Sequence, residues 1–242
     1  MRRVPLLLLL LPAWLGCVAE GPLTSPAFER PRHLEQEPAP PGERYYCLIF
    51  SAQSVPKLPR FSHTWATVVR VSQGEDGGPP ALDAQTISWM PAVIDIHPYD
   101  FFVEPGVNLD LCSTMREMQA RGERVSLWGP FEMRPSVYRN FLSRKRFVES
   151  GRLAYQAIDA VGEAARVGDG SNCIHAVTDA DPAFGRGPTL AFGDDAGSVI
   201  AAQLAGNGAL VCPERTHDWL IAALGLGGCP IVRRTARLPA ER

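Results

Sequence analysis

Neither sign of charge dominates this chain: 24 Lys and Arg stand against 26 Asp and Glu, a formal net charge of −2. With no basic excess, a dedicated nucleic-acid binder is excluded. No apolar run reaches the ~20 residues that a helix needs to cross a bilayer, which excludes a polytopic membrane protein. Phosphate-binding loops, dinucleotide fingerprints, Gly-x-Ser-x-Gly elbows and internal repeats are all missing. Hydrophobic residues make up 45% and charged residues 21% of the 242. Those are the proportions of one globular domain, not of a disordered or collagen-like chain.

An uncharged, strongly apolar run, Val4 to Gly16, follows Arg2 and Arg3. A short apolar stretch behind two cations reads as a secretory signal peptide. It closes on Leu15-Gly16-Cys17, which resembles a bacterial lipobox, although Trp14 replaces the usual aliphatic residue. The resemblance implies a signal over residues 1–16 and lipidation at Cys17. The product would be an exported lipoprotein, membrane-anchored in the bacterial cell envelope. Cleavage after Cys17-Val18-Ala19 is the alternative. Glu20 to Arg44 holds six prolines without apolar periodicity, so residues 17–44 are expected to be a tether. The domain is placed at 45–233 and a tail at 234–242.

Tyr45 to Phe50 is a continuous apolar and aromatic run, expected as a buried strand. His63 to Val71 is rich in β-branched residues, and Ala84 to Met90 follows a Gly/Pro turn, so the two predict an antiparallel hairpin. Helical spacing marks Leu109 to Arg121 and the stretch after Pro135. Arg124 to Met133 reads as a strand broken by Gly129-Pro130. Leu153 to Ile158 and Ile231 to Arg234 are expected as short strands. Helices are expected from Cys173, over Ser198 to Ala205 and over Thr216 to Leu224. Strands with helices before and after them give an α+β class, an antiparallel sheet packed against helices.

Cys173 lies in Gly170-Ser171-Asn172-Cys173-Ile174-His175. With Ser171 or Asn172 as cap, the thiol opens a helix, where backbone N–H groups favour the thiolate. His63 opens a strand after a proline-rich loop and is a candidate base for that thiol. His175 follows by two positions and is expected to be structural.

Phe61-Ser62-His63-Thr64-Trp65-Ala66-Thr67 in a strand, followed much later by Asn172-Cys173 opening a helix, resembles the circularly permuted papain-like superfamily. That superfamily includes relatives of the NlpC/P60 peptidases and the lecithin:retinol acyltransferase-like proteins. The resemblance implies a permuted papain-like fold in which Cys173 is the nucleophile and His63 the base. A third polar residue on the next strand would orient the imidazole; Ser88 is favoured by hairpin register, with Asp95 and His97 as substitutes. Asn172 and Trp65 are expected to bind substrate. The implied activity is that of a cysteine hydrolase or acyltransferase on an amide or ester, a cell-wall peptide or a lipid. The rival expectation is a non-catalytic envelope lipoprotein that uses the fold for binding or structure. No cofactor, metal or nucleic acid is expected, because Cys173 and His175 lack a second ligand pair. Six cysteines with Cys17 removed leave five, and an odd number suggests a free thiol. Cys47–Cys112 and Cys212–Cys229 are candidate bridges.

Overall fold

The computed structural model describes residues 38–74, 78–100, 102–159, 170–188 and 191–236. The signal, Cys17, the tether up to residue 37 and the tail from residue 237 lie outside the described residues.

A five-stranded sheet organises the chain, in the order β3-β2-β1-β6-β9. Its members are β1 (Glu43–Gln53), β2 (Ser62–Ser72), β3 (Ala81–Ile87), β6 (Arg124–Met133) and β9 (Ile231–Arg234). All pairings are antiparallel except β6 with β9, which run parallel. Helices cover both faces. On one lie α2 (Pro135–Val148), α3 (Cys173–Thr178) and α4 (Asp194–Gly206), packed on Cys47, Ile49, Ala66 and Val68. On the other lie α1 (Leu111–Ala120) and α5 (Trp219–Ala223), packed on Leu48, Phe50, Trp65 and Val69. Successive strand side chains point to opposite faces. A central strand covered on both sides must therefore be apolar at every position, which is why Tyr45 to Phe50 shows no alternation. The class is α+β, a mostly antiparallel sheet packed on helices.

Three expected elements change shape. Gly129-Pro130 does not end β6; the strand continues past a register shift opposite Cys47 and Ile49. Gly129 sits at φ 88°, and a Cβ there would come 2.8 Å from the Cys47 carbonyl oxygen, so the bulge requires glycine. The third expected strand divides at Ser88. Asn108 takes the Ser88 N–H at 2.8 Å and donates to the Thr86 carbonyl at 3.0 Å. Trp89–Pro91 (β4) then pairs instead with Gly106–Asn108 (β5). The expected strand at 153–158 is shorter, a parallel bridge of Ala154–Tyr155 (β7) with Gly170–Ser171 (β8).

The candidate disulfides do not form; all five described cysteines are free. Cys47 is buried on one face of the sheet, while Cys112 is exposed on α1 over the other. Cys212 follows Leu210, which bridges Met133, and Cys229 precedes Ile231, which pairs with Val125. Those two positions lie at opposite ends of β6, roughly 26 Å apart at ~3.3 Å per residue. A disulfide needs Cα atoms within about 7 Å.

Candidate active site

Three short-range facts place Cys173. Asn172 caps α3, its side-chain oxygen accepting the N–H groups of Ile174 and His175, each at 2.9 Å. The backbone N–H groups of Thr64, Cys173 and Ile174 lie close enough to the sulfur to favour its charged form. The approach to Thr64 falls at the open edge of β2, since pairing with β3 begins only at Ala66 and Ile87. The thiol therefore lies beside Thr64, while the side chain of His63, one residue earlier, points to the opposite face of the sheet.

His63 shares the face of Trp65. Its ring stacks on the Trp65 indole at 5.4 Å and 14°, and Phe50 stacks on the indole's far side at 5.1 Å and 3°. Nε2 lies 2.9 Å from Ser88 Oγ, so the residue favoured by register does contact the imidazole. Nδ1 is buried without a hydrogen-bond partner, and no hydrogen bond joins the ring to Cys173. Asp95 and His97 do not substitute for Ser88: Asp95 is held on the surface by Arg60 at 3.1 and 2.7 Å, with His97 at 3.7 Å.

Trp65, expected to bind substrate, does not line the pocket that holds Cys173. It is fully buried between Phe50 and His63 and backs the imidazole from within the core. Asn172 lines the pocket beside Cys173, yet its side chain is spent on the helix cap and on Asp159. Asp159 carries no local sequence signal, and sequence reasoning missed it. Its carboxylate takes the Asn172 N–H and side-chain NH₂ at 2.7 Å each and meets His175 Nδ1 at 2.6 Å. His175 is buried, consistent with a structural place.

Burial decides both ionisations. It drives the Cys173 thiol up to about 11; the N–H groups of Thr64, Cys173 and Ile174 offset this only in part, and the Asp159 charge adds to it. The expectation that the helix start would make a thiolate is thus overturned, because the thiol gives up more solvation than the N–H groups return. Burial, with the Arg121 charge behind it, holds His63 down at about 3. The pair rests as neutral thiol and neutral imidazole.

Cys173 nevertheless lines a pocket of about 340 Å³, walled mostly by apolar groups from separate segments: Ile96, Pro98 and Tyr99; Ile158; Pro188; and Phe192. Ser62, not His63, appears in that wall. A concave, apolar site with a few polar groups is the usual form of a small-molecule site. Among the described residues no cluster of His, Cys, Asp or Glu is arranged to hold a metal ion.

A buried neutral histidine also makes stability depend on pH. The unfolded chain takes up a proton near pH 6.5, whereas folded His63 refuses it down to about pH 3. Its contribution is complete above 6.5 and is lost as pH falls towards 3, at ~1.4 kcal/mol per unit. His217 is lowered by burial too and acts in the same sense. Urea midpoints at pH 7 and pH 5 should therefore differ clearly, and His63→Gln should narrow the difference by about one proton's worth. An unchanged difference would show that His63 already titrates in the folded state.

No family model, curated protein or solved structure matches the chain.

Proposed function

We propose that this domain is a thiol hydrolase or acyltransferase of permuted papain-like type, acting on an ester or amide with an apolar acyl group. The observation that carries the reading is the position of the Cys173 sulfur. It lies in the wall of an apolar pocket and against the backbone of the residue after His63, whose Nδ1 has no other partner. The pocket favours a lipid-like ester over a cell-wall peptide, because a peptide would leave polar groups unpaired against Ile96, Pro98 and Phe192.

In this reading the sulfur attacks the carbonyl carbon while its proton passes to His63 Nδ1. Nε2 keeps its contact with Ser88, its N–H donating to Oγ in the tautomer that leaves Nδ1 free to accept. The carbonyl π electrons move to oxygen, and backbone N–H groups at the thiol stabilise the oxyanion. Collapse breaks the bond to the leaving group, which recovers the proton from His63 and leaves an acyl thioester. Water or an acceptor alcohol then cleaves it. His63 lies with Trp65 on the α1 face of the sheet and Cys173 under α3 on the other. In this reading the proton therefore crosses at the open edge of β2, and the imidazole must swing past Thr64 when substrate binds.

The raised thiol, the missing Cys173–His63 hydrogen bond and the placement of the two groups on opposite faces of the sheet favour a second reading, a binding module for apolar ligands. Nitrophenyl esters of increasing acyl length separate the two. The enzyme reading expects a Cys173 acyl adduct by mass spectrometry. It also expects kcat/KM to rise about fourfold per methylene until the pocket fills, from ~0.8 kcal/mol per buried CH₂. Competitive binding of the acyl chain with neither adduct nor Cys173-dependent turnover would establish the binding module instead.

A further inference from the structure

The described chain exposes ten large hydrophobic side chains, and seven of them fall on two loops: Val55, Leu58 and Phe61 on one, and Val93, Tyr99, Phe102 and Val103 on the other. Tyr99 and Phe102 are 78% and 79% exposed. The loops are fastened together by Arg60 on Asp95. Both line the pocket that holds Cys173, through Pro59 and Ser62 on one side and Ile96, Pro98 and Tyr99 on the other. Tyr99 lines that pocket, and Phe102 shares the adjoining groove with Arg60, Pro98 and Tyr99, so apolar side chains of these loops form a rim beside the pocket mouth. Clustering of this kind marks an interaction surface, because single exposed hydrophobics need no explanation and a contiguous patch does.

We infer that this rim docks on a zwitterionic lipid surface and delivers the pocket mouth to the acyl chains. The charges on the rim speak against an acidic polymer or anionic headgroups. Its two cations are already paired, Arg60 with Asp95 and Lys57 with Asp195 at 2.6 Å, while Asp100 and Glu104 add negative charge. What remains for a partner is apolar area, with aromatic groups at the level of headgroups. The geometry of attachment permits it. The rim lies where β1 ends at Gln53, and the chain enters β1 at Glu43, roughly 33 Å away at ~3.3 Å per residue. With Cys17 lipidated, as its lipobox resemblance implies, residues 17–42 would span up to roughly 85 Å, enough for the rim to turn to the bilayer. The docking rests on the proposed thiol chemistry only for what the pocket takes up.

The test uses the full chain carrying Phe102→Trp or Val211→Trp, with the emission of the unsubstituted chain subtracted. Val211 is exposed and follows Leu210, opposite Met133 at the far end of β6 from the rim. Vesicles are phosphatidylcholine, plain or brominated in the acyl chains. Docking predicts that brominated lipid quenches the added emission at position 102 by half or more and leaves that at 211 almost unchanged. Cys173→Ala should preserve the quenching, so loss of the thiol reading and loss of docking are told apart. Equal quenching at both positions, or none at 102, overturns the proposal. So does emission at 102 that is blue-shifted before lipid is added while the chain sediments as a dimer, which would make the rim an interface between copies.

Discussion

His63→Ala is expected to lower kcat on an apolar ester by about 10²–10⁴-fold, the usual contribution of a positioned general base. KM should move little, because the ring is not part of the pocket wall. The pH profile carries more information than the loss. In an ion-pair enzyme the two limbs report a depressed thiol and a raised imidazole. Here burial pushes the two groups the other way, to about 11 for Cys173 and about 3 for His63. The free enzyme keeps its base unprotonated and its thiol protonated across the whole interval, so kcat/KM should be nearly flat over the neutral range. Without the imidazole, attack depends on the small thiolate fraction. The kcat/KM of His63→Ala should then rise about tenfold per pH unit until the thiol itself ionises. A variant with wild-type kcat, or a wild-type profile with a limb near 8.5, would sink the neutral-pair mechanism.

The largest stability loss is expected at Arg144, on α2. Its side chain is fully buried and reaches the end of α3, donating to the Ala176 carbonyl at 3.2 Å and to Asp179 at 3.3 Å. A cation at the last turn of a short helix satisfies carbonyls that have no intrahelical partner. Arg144→Met leaves Asp179 with its buried charge and removes that ion pair, at a cost of about 3–5 kcal/mol. That is a large part of the ~5–15 kcal/mol by which a domain is stable. Arg144→Met combined with Asp179→Leu should recover much of the loss, since a hydrophobic pair of similar volume is often as stable as a buried ion pair. Urea midpoints of the single and double variants decide it. A single variant within about 0.5 kcal/mol of the parent, the range of ordinary surface changes, would mean that the contact contributes nothing.

Sequence legibility followed the range of the interactions involved. Tyr45 to Phe50 and Ile231 to Arg234 were readable because apolar patterning alone places them, and Pro135 marked the start of α2. Asn172 was readable as a cap because capping is local. Ser88 followed from hairpin register. The start of α4 was placed at Ser198 instead of Asp194, because Asp194 is held by distant partners: Ser51 at 2.7 Å, and Arg124 and Arg234 at 2.8 Å each. The division of the third strand at Ser88 depends on Asn108, twenty residues on. The pocket was invisible because its walls come from the loops before β2 and after β4, the stretch after β7 and the segment before α4. The direction of the Cys173 shift was misread for the same reason. A helix start is local, whereas desolvation depends on everything packed above the thiol.

That packing also bears on chemical survival. Peroxide attacks thiolates that solvent can reach, and the product climbs from sulfenic acid to forms that are not readily reversed. Cys173 is protonated and about nine-tenths covered, whereas Cys112 stands exposed on α1. The same burial that denies the proposed enzyme a standing nucleophile would thus spare the sulfur on which the proposal rests. An oxidant strong enough to consume the surface thiol would leave the pocket's cysteine reduced, becoming reactive only while a substrate carbonyl and the imidazole are both against it.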